Sequence, residues 1–181
     1  MTPSMHTLVP FPGLAGGPPP RIDLQMATGF IADGALRISV VLRVGEMILR
    51  IPDAGVPGVV DGLWRHTCFE VFVQGEDAPA YAEFNLSPSR QWAAYRFSGY
   101  RDQGCALVMP DPGIECVRDA ERLTLAATLS ASALPPGSPL HIGLTAVLED
   151  TAGKLSYWAL GHTGERPDFH RADSFTLNLE R

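Results

Sequence analysis

The sequence predicts an all-β protein, a jelly-roll-like antiparallel β-sandwich. Three observations predict it. Short runs of β-branched and aromatic residues follow one another along the chain. Glycine and proline, 18 and 16 of the 181 residues, punctuate those runs. No stretch carries the 3.6-residue apolar stripe of a core helix. Hydrophobic residues make up 45% of the chain and charged residues 19%, a balance that supports a single sizeable core.

Taken in order, Met1–Pro20 holds Pro10, Pro12 and a Gly16-Gly17-Pro18-Pro19-Pro20 run, and reads as an N-terminal arm outside the core. Residues 21–181 are then the β-sandwich domain. Ala35–Val44 and Met47–Ile51 are β-branched runs set off by Gly34 and Gly45. A Pro/Gly/Asp loop, Pro52–Gly62, separates them from three further strands: Trp64–Val73, Tyr81–Leu86 and Gln91–Phe97. Gly113–Arg118, Leu123–Leu129, Leu140–Leu148, Leu155–Leu160 and Phe175–Leu179 continue the habit. Ser130–Leu134 could make one helical turn, which Pro135 and Pro136 would stop. Eight to ten strands with no long helix make a sandwich or jelly roll.

Charge and composition exclude several functions. The net charge of −6, with no Lys/Arg stripe, argues against nucleic-acid and membrane partners. No apolar run reaches the length of a spanning helix. The N-terminus lacks the basic start and apolar core of a secretory leader, so the expected location is the cytoplasm. Cys68, Cys105 and Cys116 are an odd set with no CxxC, as expected of free thiols in a reducing compartment. The oligomeric state is left open.

The informative stretch is Asp61–Arg101. Alternate side chains of a strand share a face. Along Trp64–Val73 one face would carry Trp64, His66, Cys68, Glu70 and Phe72, and the other the core residues Phe69, Val71 and Val73. Tyr81, Glu83 and Asn85 would face away from Ala82, Phe84 and Leu86. On the third strand, Trp92, Ala94 and Arg96 oppose Ala93, Tyr95 and Phe97. Three adjacent strands could then present Trp64, His66, Glu70, Glu83, Asn85, Trp92 and Arg96 together. An indole stacks on the C–H face of a pyranose, while carboxylate and amide groups take its hydroxyls. A small-molecule ligand, a saccharide or sugar-containing metabolite, is therefore expected. The plainer reading of the same alternation is core on one side and solvent on the other.

The stretches DGLWRHTCFEVFV (Asp61–Val73), YAEFNLSPSRQWAAYRFSGYR (Tyr81–Arg101) and LEDTAGKLSYWALGHTGERPDFHRADSF (Leu148–Phe175) resemble DOMON-like domains. These are similar to family 9 carbohydrate-binding modules, and the likeness is strongest to a bacterial branch of uncharacterised function. The resemblance implies a jelly-roll-like sandwich. Those modules place a Trp, five intervening residues and a Glu before an apolar strand, a pattern met here by Trp64, Glu70 and Val71-Phe72-Val73. It implies a stacking role for Trp64 and hydroxyl binding by Glu70. Asn85, after Phe84, falls at a polar ligand-binding position where an Arg would be expected. The modules' second clamping Trp lies near the C-terminus, where Trp158, Phe169 and the His162/His170 pair are the candidates.

Other chemistries were weighed on the same residues. His66, His162 and His170 with Glu70, Glu83 or Asp168 lack tight metal-ligand spacing. Some DOMON-like domains bind haem through Met, His or Lys ligands, and the resemblance makes Met26, Met47, Met109 and the histidines candidates, but no CxxCH is present. Glu70 and Glu83 with a histidine could act as acid and base on a related small molecule, without a GxSxG elbow. The favoured reading is a binding module with no metal, no cofactor and no catalytic residue.

Overall fold

The computed structural model describes residues 4–12, 22–44, 49–102 and 104–181. Fourteen strands lie among them: β1 His6–Thr7, β2 Val9–Pro10, β3 Ile22–Phe30, β4 Leu36–Val44, β5 Gly58–Val59, β6 Cys68–Gly75, β7 Tyr81–Leu86, β8 Gln91–Phe97, β9 Cys105–Ala106, β10 Glu115–Arg118, β11 Arg122–Leu129, β12 Leu140–Glu149, β13 Leu155–Ala159 and β14 Leu177–Leu179. The only helix among the described residues is three single 3-10 turns, Leu63–Arg65, Ala131–Ala133 and Ala172–Ser174. The protein is an all-β sandwich.

A five-stranded sheet runs β1-β3-β4-β11-β10. A nine-stranded sheet runs β2-β13-β12-β6-β7-β8-β5, with β14 on β12 and β9 on β8. Pairing is antiparallel except for the short β5–β8 contact. The core fills the space between the sheets. Leu24, Met26, Ile38, Val40, Leu42 and Leu125 come from one side; Phe69, Val71, Phe84, Leu144 and Leu148 come from the other. These are every second residue of their strands, as the period of two requires.

Three parts of the chain differ from what the sequence predicts. Ile22–Phe30 is a full strand with a mixed pattern, IDLQMATGF, that the reading by alternation passes over. Residues 4–12, read as part of an arm outside the core, pair in both sheets: His6 faces Met26 on β3 and Val9 faces Ala159 on β13. Leu8 between them is buried in the core. The chain crosses from one sheet to the other there, so backbone pairing holds a segment whose prolines suggest a linker. The expected Met47–Ile51 strand falls partly outside the described residues, and Leu49 makes a single bridge to Asp150.

The nine-stranded sheet is loaded on both faces. Every residue of β7 is buried. Ala82, Phe84 and Leu86 point to the core between the sheets, while Tyr81 joins a second apolar cluster on the outer face with Phe72, Val147, Phe169 and Phe175. Gly143 makes room for that cluster. A Cβ there would lie 2.8 Å from the Phe175 ring and 3.3 Å from Phe72. Because it has none, Phe175 stacks on Phe72 with centroids 5.6 Å apart and planes 16° apart.

Candidate functional site

Strand register assembles the floor of a cavity of about 600 Å³ on the outer face of the nine-stranded sheet. Thr145, Glu70, Asn85 and Ala93 lie side by side across β12, β6, β7 and β8. The next row in the same direction is Gly143, Phe72, Glu83 and Tyr95. The two carboxyl groups therefore sit diagonally on adjacent strands, in a patch walled by rings.

Three loops raise the walls. On one side Gly62, at φ 79°, takes the left-handed conformation that opens the Leu63–Arg65 turn, and this turn lifts Trp64 over the edge of the floor. Trp64 meets Tyr95 edge to face at 5.8 Å, and the Tyr95 hydroxyl donates to Asp61. On the opposite side Phe169 meets Tyr157 at 6.1 Å and His162 at 6.4 Å. The loop after β8 supplies Arg101. It is tied to the Phe169 loop because Arg101 Nη2 donates to Asp168 Oδ1 at 2.9 Å, while the Tyr100 hydroxyl donates to Asp168 Oδ2. Phe97, Leu155, Pro167 and Gly104 complete the lining.

The polar groups form a chain. The backbone N–H of Arg101 donates to Tyr81 Oη at 3.3 Å, and Tyr81 Oη is hydrogen-bonded to His170 Nδ1 at 2.8 Å. The other ring nitrogen, Nε2, lies 3.8 Å from Glu83 Oε2. Glu83 Oε1 accepts from Asn85 Nδ2 at 2.8 Å. Burial, and then the nearby Arg101 guanidinium, push the His170 imidazole down to about 4. The ring is neutral near pH 7, so its approach to Glu83 is not an ion pair.

Both carboxyl groups are held toward the protonated form. Burial raises Glu83, against the opposing pull of the Asn85 hydrogen bond and of Arg101. Glu70 is 3% exposed; burial and then the Glu83 charge raise it to about 8, although Thr145 Oγ1 donates to its Oε2 at 3.2 Å. Asn85 Oδ1 is buried with no hydrogen-bond partner among the described residues, one position across the sheet from Glu70. The carboxyl groups of Glu70 and Glu83, which line the cavity, are the floor groups within reach of a ligand hydroxyl.

Of the residues singled out by sequence, Trp64, Glu70, Glu83, Phe169 and His170 line this cavity, with Phe72 in its floor. Asn85 lies beneath it, holding Glu83. The others do not. Trp92 is buried in the core between the sheets, because β7 and β8 pair Leu86 with Trp92 and Glu83 with Tyr95. The face expected to carry Trp92, Ala94 and Arg96 is thus the core-side face, and Tyr95 and Phe97 are the site residues. Trp158 is corrected in the same way: it pairs with core residue Ala146, which puts Tyr157 on the cavity side. His66 ends the turn after Trp64 and swings outward, its Nδ1 2.8 Å from Glu149 Oε2. His162 bonds the Val9 carbonyl through Nε2 at 2.9 Å and stands behind Phe169. Met26 is sealed in the core and Met109 packs against it; Met47 lies outside the described residues. Tyr157, Tyr95, Phe97 and Arg101 were missed, and the reversed phase of β8 and β13 accounts for the first three.

Neither a protein-family model nor a curated protein matches the chain. Solved structures of the same fold do. A candidate carbohydrate-binding protein from Bacteroides uniformis superposes with a TM-score of 0.64 at 15% identity, over 98% of this chain and 87% of that one. A family 9 carbohydrate-binding module from Caldicellulosiruptor kristjanssonii, solved with cellotriose, gives 0.52 at 9% identity over 87% and 72%. A structure of a family 9 module from the same organism with glucose gives 0.51 at 10% identity over 98% and 83%. At these identities the likeness is one of fold.

Proposed function

We propose that the protein is a saccharide-binding module whose ligand enters the cavity on the outer face of the nine-stranded sheet. The observation that carries this reading is the composition of the cavity. Rings stand on opposite sides, Trp64 and Tyr95 against Tyr157 and Phe169, over a floor of carboxyl and amide groups. A pyranose has that pattern, with apolar C–H faces and a polar equator. The fold shared with modules solved with glucose and cellotriose supports it, as does the Trp64–Glu70 spacing, which matches the family 9 pattern, whereas Asn85 stands where that pattern has an Arg. The three motif stretches also support a DOMON-like assignment.

Glu70 favours one second reading. A buried carboxyl group that keeps its proton at neutral pH, near a second carboxyl group, has the makings of a general acid for glycoside cleavage. A glycan panel separates the two. Binding by calorimetry with the glycan recovered intact is the expected outcome. Cleaved products would move the assignment to an enzyme, and a panel with no binder and no product would overturn both.

A further inference from the structure

The charged groups around the floor do not balance. Glu70 and Glu83 are 3% and 6% exposed, and no Lys or Arg lies within ion-pair distance of either among the described residues; the nearest imidazole, His170, is neutral. Arg101 reaches the cavity but spends its charge on Asp168, through Nη2 at 2.9 Å and Nε at 3.3 Å. Arg65 is exposed at the rim, where solvent screens it. The buried part of the site is therefore acidic and uncompensated. Rings surround it: Trp64 and Tyr95 on one side, Phe97, Tyr157 and Phe169 on the others. Aromatic faces attract a cation as well as a sugar face.

We infer that the ligand is a sugar bearing a protonated amine, whose ammonium group is seated between Glu70 and Glu83 while its ring is held by Trp64. This deepens the saccharide reading and rests on it. A neutral sugar brings no counter-charge and would leave a carboxyl group protonated. An ammonium group would supply the missing counter-charge and let Glu70 ionise, with its proton passing to solvent. Inside these walls solvent screens charge less than at the surface, and there an ammonium partner favours ionisation of a buried carboxyl group most.

The experiment is titration calorimetry of the full chain with glucosamine, galactosamine and mannosamine, each against its parent hexose and its N-acetyl derivative. It is run at about pH 6.5, where such an amine enters as ammonium, in two buffers of different ionisation enthalpy. At least one amine should bind about tenfold or more tighter than both of its neutral counterparts and release close to one proton, whereas a neutral sugar should release none. Glu70→Gln and Glu83→Gln should bring the amine and its parent hexose to within about twofold of each other, with circular dichroism unchanged. Equal or better binding of the neutral sugars in every set would overturn the amine assignment and leave the saccharide reading standing. Failure of all three amines to bind would also overturn it. Cyclohexylamine, which keeps the ring and the ammonium group but has no hydroxyls, is the remaining arm. If it binds as well as the best amine while no hexose binds, the cation site stands and the saccharide reading falls.

Discussion

Trp64 stands at the rim of the cavity with its ring edge-on to Tyr95, 5.8 Å between centroids, and Tyr95 is itself fixed by the hydrogen bond to Asp61. Trp64 is 36% exposed, which leaves apolar area free for a ligand. Trp64→Ala should weaken saccharide binding by about 2 kcal/mol or more, from the buried area at about 25 cal/mol per Å². For a neutral sugar, Glu70→Gln should cost less, about 1 kcal/mol for one hydrogen bond. Calorimetry of both variants checks the order. Unchanged affinity in Trp64→Ala would take this wall out of the site.

Stability should fall as pH rises through neutrality. Glu70 has a folded value near 8 against an ordinary 4.5, so between those limits the folded state holds a proton that the unfolded chain has lost. His170 works the other way, its folded value near 4 lying below an ordinary 6.5. From about 4.5 to 6.5 the two oppose each other. From about 6.5 to 8 Glu70 acts alone, or with help from Glu83, which is shifted in the same direction. The slope there should approach 1.4 kcal/mol lost per pH unit. Urea unfolding across this range should show the decline in the wild type and a flatter profile in Glu70→Gln. A wild-type profile that rises over the same range would contradict the buried, proton-holding carboxyl group.

The tie between the two loops is open to a separate test. Asp168→Asn removes the ionic partner of Arg101 while keeping the shape. The pair is partly exposed, so global stability should change by about 1 kcal/mol or less. Proteolysis within residues 98–104 should nonetheless quicken, and ligand affinity should drop, because Arg101 and Phe169 are no longer held together. A variant that binds as the wild type does would show that the loops keep their places without Asp168.

Gly143→Ala should destabilise the protein by about 1–3 kcal/mol. Its methyl group would meet the Phe175 ring at 2.8 Å, and that ring is stacked on Phe72 behind the site. Thermal unfolding measures the loss. A melting temperature equal to the wild type would mean that Phe175 moves aside freely.

The tryptophans show what the sequence made legible and what it did not. The faces of β6 and β7 can be read from alternation, because Phe69, Val71 and Phe84 contrast with Glu70, Glu83 and Asn85. On β8 both faces are apolar, Trp92 and Ala94 against Tyr95 and Phe97, so alternation fixes the period but not the phase. The phase is set by the turn at Ser87–Arg90, which pairs Leu86 with Trp92; a turn one residue longer or shorter would have reversed it. Trp158 and Tyr157 pose the same ambiguity on β13. Trp64 reaches the site for a different reason from the one its spacing suggests: a 3-10 turn, not an extended strand, carries it there. That is also why His66 does not follow it. As a check on the corrected phase, Trp158→Phe should lower stability and leave ligand affinity unchanged.

Since β7 has no solvent face, its six residues divide two demands between them in strict alternation. In a library of all single substitutions, scored once for cellular abundance and once for ligand capture, the two profiles along Ala82–Leu86 should oscillate with the same period and opposite phase. Polar replacements at positions 82, 84 and 86 would deplete abundance. Replacements at 83 and 85 would spare it, or raise it by relieving buried charge, while abolishing capture. Drift in this strand is consequently blocked by foldability at one set of positions and by recognition at the other, and a lineage that abandoned the ligand would show it first at positions 83 and 85.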